Sequence, residues 1–197
     1  GTFGGSIHVF GMTTRSEVCL HHFPGKTVRA DVLCLATSND GKTLAAGGNA
    51  PLVIVYGLQL SEPSKSFLVE CTRLTTSGVT QSLALSAAAH LLVTGGQSRI
   101  VEVWGPLSHD EQSKDAHSEL FGMGQGRFSE QPHAKFSCSS QIHSLSLTNS
   151  GDMLAVGLSD YTEVYTLTLG DNDLAEQDRG RRELSLNEEL HGMVPHV

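Results

Sequence analysis

Positive charge is scarce in this chain of 197 residues, where 13 Lys+Arg stand against 21 Asp+Glu for a formal net charge of −8. Direct nucleic-acid binding needs a basic footprint that neutralises phosphates. The one basic cluster, Arg179, Arg181 and Arg182, is flanked by Asp178 and Glu183, so no direct nucleic-acid contact is expected. Long apolar runs are missing too. No stretch approaches the roughly 18 apolar residues of a membrane-spanning helix, and no basic segment leads into an apolar core at the start. Neither membrane insertion nor a signal peptide is expected. The only cysteines are Cys19, Cys34, Cys71 and Cys138, none in a C-x-x-C pair and each in a strand-like context. Such placement favours buried reduced thiols over a disulfide framework, and with them an intracellular, cytoplasmic setting. Charged residues make up only 17% and hydrophobic ones 39%. That balance suits one β-rich domain with a sizeable core.

Catalytic and ligand motifs are equally thin. Ala36 to Thr43 fits a loose phosphate-loop spacing, but that chemistry needs a helix after the lysine, whose first amides cradle the phosphate. Thr43 leads instead to Leu-Ala-Ala-Gly-Gly, so a hairpin turn is the better reading. Gly122, Gly124 and Gly126 lack the preceding strand and following helix of a dinucleotide fingerprint. His109 and His117 with Asp110, Glu111 and Asp115 match no zinc spacing. His21 and His22, adjacent on a strand, point to opposite faces and cannot readily share an ion. No G-x-S-x-G elbow positions a nucleophile. No cofactor, no metal and no catalytic residue is therefore expected.

What the chain does contain is a repeated sentence. Val32 to Leu58 reads as an apolar strand, a polar turn (Ser38, Asn39, Asp40, Gly41), a small-residue strand ending in Gly47-Gly48, and a β-branched strand ending on Tyr56. Asp-Gly between apolar runs is a strong hairpin signal, because glycine tolerates the positive φ of a tight turn. The sentence recurs from Thr80 to Leu107, Trp104 standing 48 residues after Tyr56, and again from Ile142 to Leu167, ending on Tyr165. Gly1 to Phe10 is the tail of a further copy. The second copy replaces the turn chemistry with Ala87-Ala88-Ala89-His90, which predicts a slightly altered turn.

These repeats resemble the WD-repeat β-propeller family, in which each repeat of about 40–45 residues makes a four-stranded blade. The resemblance rests on Ser38 to Gly41, Leu44, Gly47 and Ser6-Ile-His-Val-Phe10, and covers Gly1 to Leu169. It implies an all-β fold: a partial propeller of three to four four-stranded antiparallel blades. The copies depart from the family pattern. No Gly-His pair opens a repeat, and Gly11, Gly57, Gly105 and Thr166 stand where an Asp follows the aromatic. The family's His–Ser–Asp–Trp hydrogen-bond network is then lacking, and blades held mainly by packing and ladder bonds are expected.

Residues 1–169 are read as the propeller portion, with a loop insertion at 108–134, and 170–197 as an acidic polar tail or last outer strand. The insertion is polar with little periodicity, either a surface loop or, through its apolar Leu120, Phe121 and Phe128, a partner-binding one. The resemblance implies a non-catalytic protein-interaction scaffold within a larger assembly, with other proteins as partners. Candidate contacts are Asn39, Asp40, Lys42, Asn49, Gln97, Arg99, Asp160 and Tyr161 on the turns, with Leu120, Phe121 and Phe128 in the insertion. Two other readings stand beside it: an enzyme with a site in the central channel, and blades that merely mount a functional 108–134 loop. Closed propellers have about four to eight blades. The sequence shows three and a half, so further blades of the same or another chain are expected to complete the ring, and a fragment of a longer chain fits a start at a third strand.

Overall fold

The computed structural model describes residues 4–11, 16–23, 30–59, 67–106, 128–169, 184–185 and 193–195. Regular structure among them is entirely β, and no helix there is long and apolar enough to cross a membrane. Strands β1 (Ser6–Gly11) and β2 (Ser16–His22) pair antiparallel as a first sheet. Strands β3 (Val32–Thr37), β4 (Thr43–Gly48), β5 (Leu52–Gln59) and β6 (Phe67–Thr75) form a second, in chain order. The third joins β7 (Thr80–Leu85), β8 (Leu92–Gly96), β9 (Ile100–Trp104) and β10 (Ala134–Ser137). The fourth begins with β11 (Ser144–Leu147), β12 (Met153–Gly157) and β13 (Tyr161–Thr166). A side pair of β14 (Thr168–Leu169) and β15 (Leu184–Ser185) intervenes before the outer strand β16 (Met193–Pro195) joins β13. The second and third sheets are thus antiparallel meanders, and the fourth is one over its first three strands, as the repeated sentence predicts.

The sheets pack face against face because successive side chains on a strand serve opposite sides. On β5, Ile54 and Tyr56 join Ile7 and Phe23 of the first sheet's side in one core. Their neighbours Val53 and Val55 turn the other way and meet Leu83, Leu92 and Trp104 of the third sheet. A third core lies between the third and fourth sheets, around Val93, Val101, Val103, Leu154 and Val156. Covered on both faces, β4 and β8 are buried at every position, which is why they read as small apolar runs rather than as alternating ones. Burying a Val, Leu or Ile side chain fully is worth about 1.5–3 kcal/mol. Val53, Ile54, Val55 and Leu74 of the second sheet and Leu92, Val93, Val101 and Val103 of the third, all at 0% exposure, contribute on that scale.

The double glycines have a defined task. Beside each, the innermost strand carries a bulge, between Val32 and Cys34 and between Thr80 and Ser82. The bulge presses a carbonyl onto the second glycine: a Cβ on Gly48 would lie 1.8 Å from the Asp31 oxygen, and one on Gly96 2.2 Å from that of Val79. No side chain fits either position.

Candidate functional site

Turns at alternate ends of the strands create two rims. The β3–β4, β7–β8 and β11–β12 turns lie on one, and the β4–β5, β8–β9 and β12–β13 turns on the other, roughly 16–20 Å away along the strand direction. The eight turn residues singled out from the sequence therefore divide. Asn39, Asp40 and Lys42 share the first rim, and Asn49, Gln97, Arg99, Asp160 and Tyr161 the second. Leu120 and Phe121 lie outside the described residues. Phe128 sits in the core between the second and third sheets, 1% exposed; its backbone bridges to Pro106 and its amide donates to Thr72 Oγ1 at 3.4 Å.

On the first rim one hydroxyl organises each turn. Ser38 Oγ accepts from the Thr43 amide (3.0 Å) and donates to Asp40 Oδ1 (2.6 Å). Ser86 Oγ accepts from the amides of His90 and Leu91, and Thr148 Oγ1 from that of Met153. The Ser38 hydroxyl, followed by the Lys42 amide, holds the exposed Asp40 carboxyl below its usual range. The turns are also laced together, the Asn39 amide donating to the Ala87 carbonyl (3.1 Å) and the Ala87 amide to that of Asn149 (3.2 Å). The altered turn expected at Ala87–His90 is not altered. Ala89 takes φ 54°, in the place where Gly41 has 68° and Gly151 84°, and its amide closes the same bond to the Ser86 carbonyl that Gly41 makes to Ser38. The buried Ser86 hydroxyl, not the turn residues, sets this geometry.

The second rim carries inter-sheet contacts. Asn49 is engaged with Asp31, its Oδ1 accepting from the Asp31 amide (2.9 Å) and its Nδ2 donating to Asp31 Oδ2 (3.1 Å). The other carboxylate oxygen of Asp31 accepts from the Gly4 amide (2.7 Å), which ties in the first sheet. Arg99, at φ 59°, donates through Nη1 to the Ser139 carbonyl (3.5 Å). The Ser139 hydroxyl meets the Tyr161 hydroxyl. Arg99 and Tyr161, on neighbouring sheets, are thereby held on either side of one loop residue, with His143 bonded to Ser159 nearby (3.2 Å).

One polar cluster was not foreseen. Glu102 is 2% exposed in the middle of β9. It accepts from the Ser77 amide (3.2 Å) and hydroxyl (2.7 Å) and from Thr94 Oγ1 (3.3 Å), and pairs with Lys135 Nζ at 2.8 Å. Trp104 Nε1 in turn donates to Thr94 Oγ1 (3.2 Å). Beside its packing and ladder bonds the third sheet therefore has a buried polar network, with Glu102 and Ser77 in place of the family's His and Asp. In the fourth sheet the equivalent Glu163 accepts from the Tyr165 hydroxyl (2.6 Å). The signal was in the sequence: I-V-E-V-W and Y-T-E-V-Y each place a carboxylate two residues before the aromatic, inside a strand that is otherwise apolar or hydroxylic. Beside Lys135, a cleft of about 530 Å³ runs between β6 and β10, lined by Arg73, Thr75, Thr76, Ser77, Glu130 and Gln131.

Among the described residues Cys34, Cys71 and Cys138 are thiols outside any disulfide. Burial pushes the Cys34 thiol up to about 12; burial, then the charge of Glu163, does the same for Cys138. Such thiols stay protonated and are poor nucleophiles. No group of three or more His, Cys, Asp or Glu among the described residues is placed to hold a metal.

The WD40 family (WD domain, G-beta repeat) matches residues 17–50, from β2 through β4. The solved WD40 repeats of RRP9 are similar over 83% of this chain and 42% of theirs, at TM-score 0.56 and 17% identity. The sheets have the fold of β-propeller blades. A chain of the mitotic checkpoint complex is similar over 83% of this chain and 44% of its own (TM-score 0.58, 14% identity), and U3-55K over 83% and 43% (TM-score 0.56, 18% identity). The chain thus spans less than half the length of these structures. No curated protein sequence matches it. In propeller terms, β1 and β2 are the third and fourth strands of one blade, and three complete blades follow.

Proposed function

We propose that this chain is a non-catalytic scaffold that binds other proteins through the second rim, as one module of a larger intracellular assembly. The observation that carries this reading is the Arg99–Ser139–Tyr161 cluster. Arg and Tyr are among the residue types that dominate interface energetics. Here both bond the same loop residue between two packed blades, which lowers the side-chain entropy left to be lost on binding. Support of a coarser kind comes from the similar structures, which include chains of the mitotic checkpoint complex and of ctPRC2. The low positive charge fits protein rather than nucleic-acid partners.

The test is affinity capture from a cytoplasmic extract with the chain, with an Arg99→Glu/Tyr161→Ala variant, and with a Lys42→Glu variant on the opposite rim. Proteins recovered by the chain and by Lys42→Glu, but lost from the second-rim variant, are the expected outcome. Equal recovery by all three, with circular dichroism unchanged, sinks the reading.

A further inference from the structure

Cations are few in this chain, and they are not spread evenly. Of the four Lys and Arg among the described residues, Lys42, Arg73, Arg99 and Lys135, two line the cleft between β6 and β10. Each of the two is held by a carboxylate of its own sheet. Glu70 accepts from Arg73 Nε and Nη2, both at 2.9 Å, a two-bond grip that fixes the plane of the guanidinium. Lys135 Nζ pairs with Glu102 at 2.8 Å and donates to Ser77 Oγ at 3.4 Å. Both side chains remain about half exposed. Glu102 lies behind them, 2% exposed, and divides its charge among four donors, so it offers no acceptor to a ligand. Among the lining residues only Glu130 adds a negative charge, while Thr75, Ser77 and Gln131 bring hydroxyls and an amide. The cleft is therefore richer in donors than in acceptors, and its lining carries two positive charges against one negative. Its volume of about 530 Å³ falls within the roughly 300–1,000 Å³ of ligand sites, but its side chains are polar where those of most such sites are apolar.

The geometry points to this cleft as a docking site for an acidic segment of a partner protein, whose carboxylates are received by Arg73 and Lys135. The site is separate from the second rim and goes beyond the reading above, so either can fail alone. An ionised carboxylate accepts hydrogen bonds and donates none, which matches the donor excess of the lining. The bonds to Glu70 and Glu102 hold both cations in place before a ligand arrives, which lowers the side-chain entropy lost on binding. Recognition of acidic motifs by clustered cations is a recurring mode of peptide capture. The cleft lies between the outer strands of two sheets, where an extended chain can enter from the periphery, and it is larger than a single carboxylate group needs. A nucleic acid fits less well, because two cations neutralise too few phosphates.

The probe is a fluorescein-labelled hexaglutamate peptide, titrated with the full chain at low salt and followed by fluorescence anisotropy. Saturable binding is expected, with unlabelled hexaglutamate displacing the probe and hexaglutamine failing to do so. Arg73→Ala should raise the half-saturation concentration about tenfold or more. Gln131→Glu, which truncates no ion pair and adds a negative charge to the lining, should raise it as well, and keeps the test open where Arg73→Ala disturbs the fold. Lys42→Ala, the same loss of charge on the first rim, should leave binding unchanged. Four results overturn the proposal: no saturable binding, displacement by hexaglutamine as readily as by hexaglutamate, equal effects of the cleft variants and Lys42→Ala, or full displacement by succinate at the same carboxylate concentration, which would make the ligand a free small anion.

Discussion

Ala89 shows how a single residue carries the cost of a repeat that has lost its glycine. Its φ of 54° lies in the left-handed region, where an L-residue with a Cβ loses about 1–2 kcal/mol. Ala89→Gly relieves that strain but adds unfolded-chain entropy worth about 0.5–1 kcal/mol. A net gain of up to about 1 kcal/mol is expected in urea unfolding, and Ala89→Val should lose more than that, because a β-branched residue tolerates positive φ worst. The turns of the flanking blades respond to acid instead. The Asp40 and Asp152 carboxyls are held below their usual value, Asp152 by the Ser150 and then the Thr148 hydroxyl. A folded-state value below the unfolded one adds stability that is complete above the unfolded value and is lost as pH falls through the folded one. Stability should therefore decline below about pH 4. The double variant Asp40→Asn/Asp152→Asn should show a shallower decline than the parent when urea midpoints are compared between about pH 5 and pH 3. An identical slope in both proteins would remove these carboxylates from the account.

At the scale of elements, the third blade is where the sequence was hardest to read. The strands themselves were legible, since apolar runs, glycines and aromatic ends recur from copy to copy and mark their borders closely. Glu102 was not, because a carboxylate inside I-V-E-V-W gains meaning only when Ser77, on the crossing from another blade, and Lys135, from beyond the insertion, close around it. Phe128 was misleading for the same reason: within a polar stretch it resembles a loop contact, and only the packing of two blades shows that it fills their shared core. The Glu102 network gives a direct test. Lys135→Met removes the counter-charge that the described residues give a buried carboxylate with three other donors, and should cost about 1–3 kcal/mol. Adding Glu102→Leu to it should cost less than the two single losses summed, since no uncompensated charge then remains. Strict additivity in that cycle would mean that the ion pair contributes nothing beyond its packing.

Across the whole molecule, the half-blade and three blades meet through three separate cores arranged in series. The count of blades was visible in the spacing of Phe10, Tyr56, Trp104 and Tyr165, but the order of their stability was not, because it depends on which faces have neighbours. Met153, on the outward side of the last blade, is 41% exposed, while Leu92 of the third sheet is fully buried. In a serial array, stability is roughly a sum of unit and nearest-neighbour terms, so a damaged interface divides the array at that point. Phe128 fills the interface between the second and third sheets, and Phe128→Ala should lose about 3–5 kcal/mol there. The loss should be selective. In native-state hydrogen exchange followed against denaturant, β1 to β6 should begin to open as one unit and β7 to β13 as another, where the parent chain opens its two central blades last and together. If every strand instead loses protection by the same amount, the blades form one cooperative unit, and the three cores act as one despite their separation in space.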